Sequence, residues 1–142
     1  MGKLKFLHIG CGPKRKDQTT PVFNTHEWDE VTLDIDPNCN PDIIATMTDL
    51  SIVPDNSFDA IYSSHNIEHL YMHEALEAAK EFKRILKDTG YVMICCPDLN
   101  SVCEAVVEKG LMEPLYYLPN KNNVIDKSIW VSAIDILYGW RP

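Results

Sequence analysis

Short apolar runs alternate with polar stretches over most of the chain. Residues 5–9 (KFLHI) end at Gly10-Cys11-Gly12-Pro13, which reads as a buried strand breaking into a glycine turn. Residues 14–29 are polar, hold Pro21 and keep no helical period, so the first crossover is predicted to be short or irregular. Residues 31–35 (VTLDI) are β-branched and apolar up to an acidic end, and Asp36-Pro37-Asn38 turns the chain after them. Residues 43–47 predict a weaker third strand, and Pro54-Asp55-Asn56-Ser57 a turn into a fourth at 58–62 (FDAIY). From 72 to 87, Ala75, Leu76, Ala79, Phe82 and Leu86 recur at helical spacing while charged residues fill the other face. Gly90 is predicted to stop that helix, and residues 91–96 (YVMICC) read as a fifth strand buried on both faces. Ser101-x-x-Glu104 predicts a short helix closed by Gly110. Ile129, Trp130, Ala133, Ile134 and Leu137 predict a last amphipathic helix that starts after Asp126 and stops at Gly139.

Strands alternating with helices or crossovers imply an α/β fold with a doubly wound, mostly parallel sheet. Ligands of such sheets bind beyond the carboxyl ends of the strands. The loops of interest are therefore GCGP, LDIDP, TDL, SSHNIEH and CPDL.

The chain has 142 residues, of which 45% are hydrophobic, enough for one core and hence a single domain over 1–142. Its net charge of −8 argues against a nucleic-acid partner, since Lys14-Arg15-Lys16 is the only basic cluster. Five cysteines without a C-x-x-C pair suggest reduced thiols and a cytoplasmic location. The apolar run at the start is too short for a signal peptide, and no stretch is long enough to span a membrane, so no membrane association is expected.

Gly10 and Gly12 allow a sharp turn and a close backbone approach to a ligand. Asp34 follows Gly12 by 22 residues at the end of the second strand. That is near the ~20-residue spacing at which a carboxylate accepts ribose hydroxyls, so an adenosine-type ligand fits. Dinucleotide enzymes want a third glycine under the pyrophosphate, and here that position is Arg15, which counts against a nicotinamide-dependent oxidoreductase. His65-x-x-Glu68-His69 is spelled like the motif of inverted zinc peptidases. Because His65 directly follows a strand, the two imidazoles are expected to straddle the strand exit and the first helical turn, and no metal site is predicted. His69 then has a structural role, and His73 and Glu74 lie on a solvated face.

The stretches FLHIGCGP, VTLDIDP, MTDLSIVPDNSFDAIYSSHNIEHL and EFKRILKDTGYVMICCPDL stand in an order that resembles the Rossmann-like class I S-adenosylmethionine-dependent methyltransferases, above all the type 11 group. The resemblance spans residues 6–99. It implies S-adenosylmethionine as cofactor, S-adenosylhomocysteine as product and a small-molecule acceptor. It places Gly10, Cys11 and Gly12 beside the methionine part, Asp34 with Ile35 at the ribose, and Asp49 with Leu50 at the adenine. Ser64 and His65 would flank the sulfonium, and Asp59 would be structural. An imidazole titrates near neutrality, which makes His65 the candidate base for an acceptor that must lose a proton.

The fold of this family usually finishes with an antiparallel hairpin of two strands, whereas two helices are predicted here. The chain therefore looks C-terminally truncated and short of that hairpin. The apolar face of the last helix, ending in Tyr138-Gly139-Trp140, would pack on the sheet or on a second copy, giving a homo-oligomer. The alternative to an enzyme is a non-catalytic module that binds S-adenosylmethionine or a nucleotide and needs a partner.

Overall fold

The computed structural model describes residues 2–111, 114–119 and 125–132. Residues Met1–Cys96 form one compact unit and Pro97–Pro142 a second. The first unit is a five-stranded parallel sheet of β1 (Leu4–Ile9), β2 (Trp28–Asp34), β3 (Ile43–Ile44), β4 (Phe58–Ser64) and β5 (Leu86–Cys95), in the order β3-β2-β1-β4-β5. The order reverses at β1, so a crevice opens where the chain leaves β1 and β4, the usual ligand position in an open α/β sheet.

Alternation along the strands separates two cores. Leu7, Ile9, Leu33 and Ile61 meet Ala78, Phe82 and Ile85 of helix α1 (Met72–Ile85) on one face. Phe6, Trp28, Ala60 and Tyr62 form an aromatic cluster on the other, completed by Phe23. The rings of Phe6 and Phe23 stack with centroids 4.4 Å apart. The first crossover is irregular as predicted, with only a short 3-10 turn at Lys16–Gln18. Burial of the Phe23 ring, which stabilises by about 1.5–3 kcal/mol, stands in for a packed helix. Lys16 anchors the same segment by donating from Nζ to the carbonyls of Thr25 at 2.9 Å and Trp28 at 2.8 Å. Asp59 ties the start of β4 to its neighbours, accepting from the Lys5 amide at 2.9 Å and from Lys87 Nζ at 2.8 Å.

Three elements differ from the sequence reading. Helix α1 stops at Ile85, before Gly90, because the amides of Asn56 and Ser57 take the carbonyls of Arg84 and Ile85 and Leu86 turns extended to pair with Phe58. The ladder then skips to Ala60 and Tyr91, so residues 87–90 are an irregularity within β5. Nor is β5 buried on both faces: it is the end strand of the sheet among the described residues, and Tyr91, Val92 and Ile94 are exposed. Gly90 is a close-packed position, where a Cβ would come within 2.9 Å of Leu86 Cδ2.

In the second unit, α2 (Leu99–Lys109) is closed by Gly110 as expected, but it starts earlier than predicted. Asp98 is its cap, accepting from the Asn100 amide at 3.2 Å and from Ser101 Oγ at 2.6 Å. The last predicted helix is replaced where it is described. Strand β7 (Ile125–Ser132) pairs antiparallel with β6 (Pro114–Pro119). Ile129 and Val131 alternate across Trp130, and β-branched residues at Ile125, Ile129 and Val131 favour a strand over the helical spacing. A strand hairpin is thus present where its absence was expected, as a two-stranded sheet of its own. The Tyr138-Gly139-Trp140 cluster and the apolar face proposed for self-association lie outside the described residues. Among the described residues no helix is long and apolar enough to cross a membrane.

Candidate active site

Both glycines of the turn after β1 are left-handed, with φ of 62° at Gly10 and 52° at Gly12, a conformation that penalises any Cβ. At Gly10 space is also lacking, because an added Cβ would overlap the Asn66 carboxamide. The Gly10 and Cys11 amides both donate to the Leu33 carbonyl, at 2.8 and 3.2 Å, which fixes the turn to the end of β2. The Gly12 amide donates to Asp34 Oδ2 at 2.7 Å, and the Asp36 amide to Oδ1 at 3.0 Å. Each oxygen keeps a further lone pair, so the carboxylate is oriented in advance yet still able to accept from a ligand.

Asn66 closes the other side of the crevice. Its Nδ2 faces three acceptors, the carbonyls of Ile9 at 3.0 Å and Ser64 at 2.9 Å and Ser63 Oγ at 3.3 Å. The nitrogen is thereby assigned, and Oδ1 lies against Gly10. Between these groups is a cavity of about 240 Å³ whose wall includes Gly10, Leu33, Asp34, Met47, Asn66 and Leu70. Typical ligand pockets run from about 300 to 1,000 Å³, so this one has room for only part of a nucleoside-sized ligand. The rest can lie over Gly12, where a Cβ would meet nothing within 4 Å.

The structure brings together some of the residues the sequence pointed to. Gly10, Asp34 and the exposed Ile35 border the cavity; Gly12 fastens to Asp34, and Cys11 lies buried beneath, its thiol pushed up by burial. Asp49 and Leu50, expected at an adenine ring, do not line this cavity. Leu50 is wholly buried in the core, its amide donating to Glu81 Oε2 at 2.9 Å. Asp49 faces a separate hollow beside Lys80 and Arg84, and hydrogen bonds from Ser51 hold its carboxyl below the usual range. The turn closed by the Asp49 amide on the Thr46 carbonyl carries the chain away, so Ala45, Thr46 and Met47 line the cavity instead.

Ser64 and His65 are also outside the cavity wall. The His65 amide donates to the Cys95 carbonyl at 2.9 Å and its backbone is left-handed at φ 58°, which leaves the side chain 60% exposed. Asn66, His69 and Leu70 line the cavity instead. Nothing in the sequence marked Asn66, whose role depends on the carbonyl of Ile9, 57 residues earlier. His69 sits in a 3-10 turn (Ile67–His69), not on α1, and His65 Nδ1 is 3.6 Å from Glu68 Oε1. Among the described residues no group of three His, Cys, Asp or Glu is placed to hold a metal ion.

Residues 7–94 match the sequence profile of a family described as a methyltransferase domain. The chain belongs to that family. No curated protein sequence matches it. Among solved structures, a protein of Pyrococcus horikoshii superposes with a TM-score of 0.60 at 19% identity, over 85% of this chain and 60% of the other. An S-adenosylmethionine-dependent methyltransferase described as putative, from Methanococcus maripaludis, gives 0.55 at 17% identity, over 77% and 57%. The methyltransferase CalH, solved with S-adenosylhomocysteine, gives 0.52 at 13% identity, over 77% and 37%. These similarities show the fold of the class I methyltransferases. The chain spans about 60% of the length of the first two.

Proposed function

We propose that this methyltransferase binds S-adenosylmethionine across the turn after β1 and the end of β2, and methylates a small-molecule acceptor. The observation that carries the reading is the Asp34 carboxylate, fixed by the Gly12 and Asp36 amides with lone pairs left beside the cavity. Gly10, Cys11 and Gly12 would pass the methionine part, and Asp34, with Ile35 beside it, would accept hydrogen bonds from the ribose hydroxyls.

When bound, S-adenosylmethionine supplies an electrophilic methyl group on a sulfonium. The chain's own contribution to in-line displacement is alignment, and the glycine turn and Asp34 provide it by fixing one reactant before the other arrives. Ser64 and His65, where β4 ends, stand toward the acceptor in this scheme. The exposed imidazole of His65 would take a proton from an oxygen or nitrogen acceptor. A net charge of −8 favours a neutral or cationic small molecule over a polyphosphate.

Calorimetry with S-adenosylmethionine, S-adenosylhomocysteine and NAD tests the reading. Binding of the two adenosyl compounds and not of NAD is expected. If neither adenosyl compound binds at millimolar concentration, the proposal is wrong. Binding without turnover on any acceptor would favour the non-catalytic module.

A further inference from the structure

The side chain that occupies the place of the third glycine does work of its own. Arg15 Nη1 donates to the carbonyls of Gly12 at 3.2 Å and Lys14 at 2.7 Å, on the turn after β1. Its Nη2 donates to the carbonyls of Cys39 at 2.9 Å and Asn40 at 3.1 Å, at the end of the 3-10 turn Pro37–Cys39 after β2. One planar guanidinium thus joins two loops through four backbone carbonyls, a geometry that the compact ammonium of a lysine cannot reproduce. The target loop is itself firm. Asp36 caps it by accepting from the Asn38 amide at 2.9 Å, and Asn40, in the left-handed conformation with φ 52°, closes it on the Pro37 carbonyl at 3.0 Å.

Gly12 is therefore held from both of its peptide groups. Its amide goes to Asp34 and its carbonyl to Arg15. We infer that Arg15 is a positioning residue, which clamps the glycine turn to the loop after β2 and so holds the Gly12 amide on Asp34 in the orientation the ribose needs. The inference rests on the binding mode proposed above. It also gives a reason for arginine here: with only a 3-10 turn following, no helix N-terminus lies under the loop to organise it, and the side chain does so instead.

Amide hydrogen exchange and calorimetry on Arg15→Ala and Arg15→Lys, in the full chain, separate the possibilities. Exchange at the Gly12 amide should quicken roughly tenfold or more in both variants, while the amides of Leu7 and Ile9 keep their protection. S-adenosylhomocysteine should bind about tenfold more weakly to both, and millimolar guanidinium should restore Arg15→Ala toward wild type without acting on wild type itself. Unchanged exchange at Gly12 overturns the clamp whatever the ligand data show. Unchanged affinity despite faster exchange overturns its role in binding. If wild type fails to bind S-adenosylhomocysteine while the variants lose Gly12 protection, the clamp stands and the proposed function falls.

Discussion

The Gly12 amide and Asp34 Oδ2 are joined by a hydrogen bond of 2.7 Å that links the ends of two neighbouring parallel strands. The carboxylate thus has a structural duty within the protein in addition to the one proposed toward a ligand. Replacing Asp34 by Asn removes the charge and leaves an amide that can satisfy at most one of its two backbone donors with an oxygen. S-adenosylhomocysteine affinity is expected to fall at least about tenfold, in line with roughly 1.5–3 kcal/mol for a hydrogen bond to a charged group. Calorimetry giving wild-type affinity would remove Asp34 from the site.

The two glycines of the turn should not respond alike to substitution. Gly12→Ala incurs only backbone strain, about 1–2 kcal/mol, because nothing stands where the methyl would go. Gly10→Ala meets the Asn66 carboxamide as well and is expected to cost about 2–4 kcal/mol. Denaturant unfolding of Gly10→Ala, Asn66→Ala and the double variant makes the comparison. The double variant should lose less than the two single losses together, since the overlap exists only when both side chains are present. Strict additivity would show that the two positions are independent.

Acid should lower the stability of the protein in two separate pH ranges. His8 is buried, 2.8 Å from Glu30 Oε1, and burial lowers its pKa below the ordinary 6.5 despite that carboxylate. Above 6.5 the imidazole is neutral in both folded and unfolded chains and stability is flat with respect to this group. As pH falls below 6.5 the unfolded chain takes up a proton first, so stability declines until the folded-state pKa is passed. The carboxylates with lowered values, among them Asp42 through its bonds from Thr32, lose their contribution only at lower pH, on passing below the unfolded value of 3.8. Unfolding free energy measured from pH 7.5 to 5 should fall in wild type and stay flatter in His8→Asn. Equal slopes in the two proteins would rule out His8 as the source.

His65 offers a test of chemistry apart from folding. Asparagine tolerates the left-handed backbone, so His65→Asn is expected to stay within about 0.5 kcal/mol of wild-type stability. On an acceptor that must lose a proton, turnover should drop roughly 100-fold, the lower end of what general-base catalysis contributes. Full turnover by a well-folded His65→Asn protein would show that the acceptor needs no base from this residue.

Much of this arrangement was legible from local pattern. The first four strands, α1, the irregular first crossover and the Gly10, Gly12 and Asp34 grouping all follow from periodicity and spacing, because burial on alternate strand faces leaves a strong imprint. Two kinds of feature left none. Leu50 and Asp49 sit next to each other in sequence, yet a single turn at Thr46 sends one into the core and the other to a different hollow. Asn66 and Arg15 act through backbone carbonyls of other segments, and carbonyls are the same at every residue. The last helix failed for a third reason. Ile129 is one helical turn from Ala133 and one strand repeat from Val131, so it fits both periods, and pairing with β6 decided between them.

Between residues 17 and 25 the crossover from β1 to β2 lies over the aromatic face of the sheet through one buried ring, Phe23, with little repeating hydrogen bonding of its own. Such a cover can lift away while the strands beneath remain paired. Protease cleavage between residues 17 and 25, and solvent access to Trp28, should then report a partial opening well below the global transition, separating the endurance of the sheet from that of the lining behind its ligand loop.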